Sequence, residues 1–138
     1  MSRPDARAEA GRWLQQAAND LAFAEHGLRL GFHAQACFLA QQAAEKAVKG
    51  VHYLRGSRVV IGHSVDGLLA GLEAAGFAVA GLRPLGAQLD LHYIPTRYPN
   101  GLPGNVPFEV YTAAQASQAI DAAHRILAFA RTQIEAAG

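Results

Sequence analysis

Two stretches of helical periodicity, about residues 4–30 and 32–55, are separated by little more than Gly31, and that spacing limits the folds open to the chain. In the first stretch Trp13, Ala17, Leu21, Ala24 and Leu28 recur at helical intervals and define an apolar stripe. In the second, Ala36, Ala40, Ala43, Ala47, Val51 and Leu54 do the same. Gly31 stands where a helix ends by entering the left-handed region, and Gly56 stops the second stretch. Asp5 falls in the first turn, where a negative charge favours the helix dipole. Two long helices with so short a connection must lie antiparallel, as a helical hairpin.

The remaining segments are shorter. A connector over about 57–63 contains the apolar run Val59-Val60-Ile61. No second strand-like run is available to pair with it, so it reads as a packed connector. Ser64, or His63, caps a third helix of about 65–75 that Gly76 ends. A fourth segment, from about 80 or 84 to 93, carries Leu82, Leu85, Leu89 and His92 at helical spacing. Pro99, Pro103 and Pro107, interleaved with Gly101, Gly104 and Asn105, break regular structure over about 95–108, which reads as a mobile loop. The last helix, about 110–136, shows Ala113, Ala116, Ile120, Ala123, Leu127, Ala130 and Ile134 on one face. Apolar residues make up 51% of the 138 residues but aromatics only 8%, so alanine, the best helix former, supplies much of the apolar count. The expectation is an all-α fold in one domain, 1–138.

Composition also excludes several functions. A net charge of +1 provides no global field for gathering nucleic acid, so anion binding would need a local cluster. The single cysteine, Cys37, rules out an intrachain disulfide and a cysteine-cluster zinc site. Set among Ala36, Phe38, Leu39 and Ala40, it reads as a small buried residue rather than a nucleophile. His26, His33, His52, His92 and His124 are scattered without metal-ligand spacing, and no phosphate loop of the Gly-x-x-x-x-Gly-Lys type occurs, so neither a metal nor a cofactor is expected. The charged N-terminus lacks the apolar stretch of a secretory signal, and no uncharged run is long enough to span a membrane. A cytoplasmic protein is expected.

Two constellations could carry chemistry. Gln41, Gln42, Glu45, Lys46 and Lys49 share one helix with His52. Glu45 and Lys49 are four residues apart with the acid first, the favourable order for an ion pair. On periodicity alone this is a solvated, salt-bridged face; the alternative is a polar strip facing a groove or partner, where two lysines could meet phosphate. The second constellation is Asp90, Tyr93, Arg97 and Tyr98, at a helix end leading into the Pro/Gly loop. Arginine offers a planar fork for phosphate or carboxylate, and tyrosine can stack on a base. Equally, the tyrosines could pack under the loop while Arg97 ties it to an acid.

Taken in order, Trp13, Asn19-Asp20-Leu21, residues 34–38, the run from Gln41 to Lys49, His63-Ser64-Val65 and the run from Tyr93 to Pro99 resemble the HEPN domain, named for its occurrence in higher eukaryotes and prokaryotes and for nucleotide binding. The resemblance implies an up-and-down bundle of about five helices, usually a homodimer. Such domains often accompany a minimal nucleotidyltransferase, with which they form a complex or a toxin–antitoxin pair. It also marks Asp20, Gln42, Glu45, Lys46, Lys49, His63, Tyr93, Arg97 and Tyr98 as residues expected to line a shared groove for nucleotide, RNA or partner.

The chain departs from the family's ribonucleases, which carry an arginine followed four to six residues later by histidine, late in the domain. After Arg97 no histidine comes until His124. Arg58 and His63 match that spacing formally but lie in the mid-chain connector. The leading expectation is therefore a binding module rather than an enzyme. The alternatives are a metal-independent ribonuclease using His63 with Arg58 or Arg97, and a structural dimer scaffold.

Overall fold

The computed structural model describes residues 5–138. Six α-helices are described, and no strand: α1 (Ala6–Leu30), α2 (His33–Leu54), α3 (Val65–Ala74), α4 (Arg83–Asp90), α5 (Pro107–Val110) and α6 (Ala113–Ala136). A start of the first helix at residue 4 lies outside the described residues. Gly31 adopts φ +87°, and Phe32 N–H donates to the Gly27 carbonyl at 2.8 Å while Gly31 N–H reaches Leu28 at 3.3 Å. This pairing satisfies the last carbonyls of α1 and turns the chain back on itself. α1 and α2 then pack along their alanine faces, with Ala10, Ala17, Leu21 and Ala24 meeting Ala36, Ala40, Ala43, Ala47 and Val51 in the interior.

α2 is the central helix and packs against each of the other five. Its burial continues into Leu69 and Leu72 of α3, Leu89 of α4, and Ile120, Ala123, Ile126 and Leu127 of α6. Arg7 Nε donates to the Ile134 carbonyl at 3.1 Å, joining the start of α1 to the end of α6. α6 begins at Ala113, later than its apolar pattern predicts. Thr112 is its N-cap, in a reciprocal box with Gln115, and the short α5 with Pro107 in its first turn occupies the preceding residues. A 3₁₀ turn, Pro99–Gly101, likewise accommodates its proline at the start, so the Pro/Gly segment contains two brief regular elements.

The connector departs from its expected packing. Val59 and Ile61 are 75% and 81% exposed, and only Val60 reaches the core. The run has no regular secondary structure, and successive side chains of such a connector do not share one face, so the three do not all bury against one surface. Beyond it, Ser64 caps α3 by accepting from Gly67 N–H at 2.9 Å. α4 reaches the start of α3 at Gly86. A Cβ there would lie 3.0 Å from Asp66 N and 3.1 Å from side-chain carbons of Val65 and Leu69. Absence of a side chain at Gly86 is what lets the end of α4 approach the His63 connector.

Candidate functional site: a polar helix strip under an aromatic platform

The polar strip of α2 is not a solvated face. Gln41, Glu45, Lys49 and His52 are all buried, because α3, α4 and the 57–63 connector cover the side of α2 that periodicity alone would leave to water. Such burial is tolerable only where each polar group finds partners. Lys49 Nζ donates to Glu45 Oε2 at 3.0 Å, Gln42 Nε2 donates to Glu45 Oε1 at 3.2 Å and to Gln41 Oε1 at 2.8 Å, and Gln41 Nε2 donates to the His63 carbonyl at 2.8 Å. His52 Nε2 meets the Leu68 carbonyl at 2.8 Å. The strip is an internal network that supports what lies above it.

Above it lies His63. Its Nδ1 faces Glu45 Oε2 at 3.4 Å, while the side chain stays 62% exposed. The imidazole stacks on Tyr93, with ring centroids 5.0 Å apart and planes 17° apart. Arg97, four residues beyond Tyr93 in the turn segment that follows α4, packs on the same tyrosine ring. Its guanidinium carbon is 4.5 Å from the Phe38 centroid, 4.6 Å from Tyr93 and 5.1 Å from Tyr98. Its Nε donates to the Tyr93 carbonyl at 2.8 Å. The terminal guanidinium nitrogens make no hydrogen bond among the described residues. Rings orient the arginine without neutralising it, which leaves its planar fork presented to solvent.

Asp20 and Lys46 form a separate pair on the α1 side of the same helix. Lys46 Nζ donates to Asp20 Oδ2, and Gln16 Nε2 donates to Asp20 Oδ1 at 3.0 Å. An open cleft of about 560 Å³ adjoins them, lined by Glu9, Arg12, Trp13, Gln15, Gln16 and Lys46. Trp13 is a wall of this cleft, backed by Tyr53 at 5.3 Å between ring centroids. Gln42, Glu45, Lys49, His63, Tyr93, Arg97 and Tyr98 thus form one connected set, and Asp20 with Lys46 a neighbouring one. Phe38 and Gln41 of α2 and Gln16 of α1 take part without having been among the residues expected to line a groove. Phe38 and Gln41 stand seven and four residues before Glu45, at the helical spacing that could have placed them on its face.

The HEPN domain model matches residues 10–133. This chain belongs to the HEPN family. Among solved structures it is similar to TT1696 from Thermus thermophilus, at 44% identity and a TM-score of 0.86, covering 91% of this chain and 98% of that one. It is also similar to ST0689, an archaeal HEPN homologue, at 36% identity and TM-score 0.77, over 91% and 98% of the two chains. An HEPN domain protein from Thermotoga maritima, tm0613, aligns at 30% identity and TM-score 0.66, over 88% and 95%. No curated protein matches the chain.

Against this HEPN framework the other reactive groups fall into place. Burial pushes the Cys37 thiol up to about 12, so it is protonated and inert near neutral pH. His124, the first histidine after Arg97, is on α6 and pairs with Glu25 of α1 at 2.5 Å. Arg58 is exposed in the connector that ends at His63. Among the described residues no group of three or more His, Cys, Asp or Glu side chains is placed to hold a metal ion, and no helix is long and apolar enough to cross a membrane.

Proposed function

We propose that this HEPN chain is a binding module for a nucleotide or single-stranded RNA, acting in the cytoplasm as a homodimer beside a minimal nucleotidyltransferase partner, in a pair of the toxin–antitoxin type. The whole chain reads as one such domain, with 95–108 as its mobile part. One observation carries the binding assignment. The Arg97 guanidinium is held among Phe38, Tyr93 and Tyr98 and anchored on a backbone carbonyl, with its outer nitrogens making no hydrogen bond among the described residues. A phosphate meeting that fork would gain charge-assisted hydrogen bonds, and a base could stack on the adjoining rings. Glu45, Lys49, Gln42 and the Asp20–Lys46 pair act in this reading as the support and counter-charges of the site.

Calorimetry with ATP and with a short oligouridylate, on wild type, Arg97→Ala and Arg97→Lys, tests the assignment. Loss of one charge-assisted contact predicts affinity weakened about tenfold or more in Arg97→Ala, with Arg97→Lys in between and helical circular dichroism unchanged. Equal affinity in all three proteins would remove Arg97 from the site.

A specific contact favours a second reading, metal-independent cleavage of RNA. His63 turns Nδ1 towards the buried Glu45 carboxylate and, among the described residues, leaves Nε2 without a hydrogen bond, as an oriented acid–base histidine would. Incubation of RNA with wild type and with His63→Ala decides between the readings, since cleavage that disappears with the imidazole would make the module a nuclease.

A further inference from the structure

His63 belongs to a connector whose neighbours Val59 and Ile61 project into solvent. Its stacking on Tyr93 therefore needs a cause beyond the stack itself, because an exposed ring contact alone does not immobilise a loop. The nearest fixed point is the last residue of α4. Asp90 Oδ1 accepts from Val65 N–H at 2.7 Å and from Gln41 Nε2 at 3.4 Å. Asp90 Oδ2 accepts from Ser64 Oγ at 2.7 Å and from Asp66 N–H at 3.1 Å. The same Gln41 amide donates its other hydrogen to the His63 carbonyl. One carboxylate thus gathers donors from α2, from the end of the connector and from the first turn of α3. It stands three residues before Tyr93, the ring on which His63 rests.

We infer that Asp90 is the positioning residue of the site: it latches the His63 connector to the end of α4, just before the turn segment that carries Tyr93 and Arg97, and so sets the His63–Tyr93 register that a ligand meets. The inference rests on the binding reading above. The two oxygens hold Ser64, Val65 and Asp66 from the α4 side, while Gln41 holds the carbonyl of His63 from α2. His63 is left with its side chain as its main remaining freedom, and Glu45 directs that. Gly86, one turn earlier on α4, permits the close approach that brings the carboxylate within reach. Arg83 fastens α3 to α4 differently, with Nε donating to Asp66 at 2.8 Å and Nη1 to Glu73 at 3.0 Å, and makes no hydrogen bond to Gln41, His63 or Ser64. It is the natural control, a clamp between α3 and α4 that does not hold the connector.

The latch is read without ligand by NMR. The ring protons of His63, assigned by their loss in His63→Ala, should be displaced upfield in wild type by the Tyr93 ring. In Asp90→Ala that displacement should collapse, while Arg83→Ala should lower the melting temperature and leave it in place. Should Asp90→Ala not fold, Asp90→Asn supplies the test, since its amide turns donors towards donors at one of the two oxygens while keeping the shape. With ATP or oligouridylate, the Asp90 variant should bind about three- to tenfold more weakly than wild type, the scale of leaving one side chain for the ligand to order. An unchanged His63 displacement in the Asp90 variant, or an equal loss in Arg83→Ala, overturns the latch. If wild type binds neither probe, the binding reading fails while the ligand-free spectra still decide whether Asp90 positions His63.

Discussion

The buried Glu45–Lys49 pair can be tested by removing its members separately and together. Their side chains are only 6% and 10% exposed, and Nζ lies 3.0 Å from Oε2. Removing one partner of a buried pair costs about 3–5 kcal/mol, because the survivor stays desolvated and unpaired. The surroundings make the two halves unequal. In Lys49→Met, Glu45 keeps the Gln42 amide at 3.2 Å and the His63 ring at 3.4 Å, which places the loss near the lower end, about 3 kcal/mol. In Glu45→Leu, Lys49 loses its one hydrogen-bonded partner among the described residues, and the loss moves towards about 5 kcal/mol. The double variant replaces both charges by apolar groups and should recover to within about 1–2 kcal/mol of wild type. Urea unfolding followed by circular dichroism measures all four proteins, with an unchanged slope confirming a comparable unfolding reaction. Glu45→Gln serves if Glu45→Leu does not fold. Losses below about 1 kcal/mol in each single variant, with no coupling in the cycle, would be the behaviour of an exposed pair and would refute the burial argument.

Two further outcomes follow from the interior. His92 packs edge-on against Tyr111 with its Nδ1 buried and unpartnered, and burial holds its pKa below the ordinary histidine value. The unfolded chain therefore takes up the proton first as pH falls, so this contribution to stability is present above about pH 6.5 and is lost below it. Melting temperatures from pH 8 to 5 should fall more steeply for wild type than for His92→Phe; parallel curves would show that this imidazole does not govern the slope. The Cys37 thiol, held up by burial, should react with a thiol reagent at pH 8 far more slowly in the native protein than in urea. Equal rates would mean that the site opens readily.

The helices were legible because their signals are local. Gly31, the Ser64 cap and most of the apolar stripes act within a turn or two, and the structure places them as the pattern predicts, although Ala113 is exposed at the start of α6 and α4 stops at Asp90 rather than at Tyr93. The buried side of α2 was not legible, because a strip of Gln, Glu, Lys and His has the same periodicity whether water or another helix covers it. What covers it is set by Gly86 and Asp90, residues more than thirty positions away whose meaning depends on the path of the chain. Val59 to Ile61 failed the other way. Their apolar character suggested packing, but a short connector tied at both ends cannot turn three successive side chains inward. At the candidate site, Tyr93, Arg97 and Tyr98 stood out by type and spacing, whereas Phe38 was not singled out, because nothing local ties it to a loop sixty residues on.

Partner chemistry separates Arg97 from the other cations near the strip. Lys46 faces Asp20, Lys49 faces Glu45 and Arg12 faces Glu9. Each of these pairs is already compensated, so an incoming phosphate would have to displace a carboxylate before gaining anything from the cation. Arg97 instead meets three rings and a carbonyl. Those partners hold its guanidinium in place, yet they leave its charge uncancelled and, among the described residues, its outer nitrogens without a hydrogen bond. With a net charge of only +1 on the whole chain, binding of an anion depends on such local differences rather than on the number of basic residues. The two lysines that dominate the sequence pattern therefore serve the proposal as internal supports, and the arginine beyond them as its point of contact.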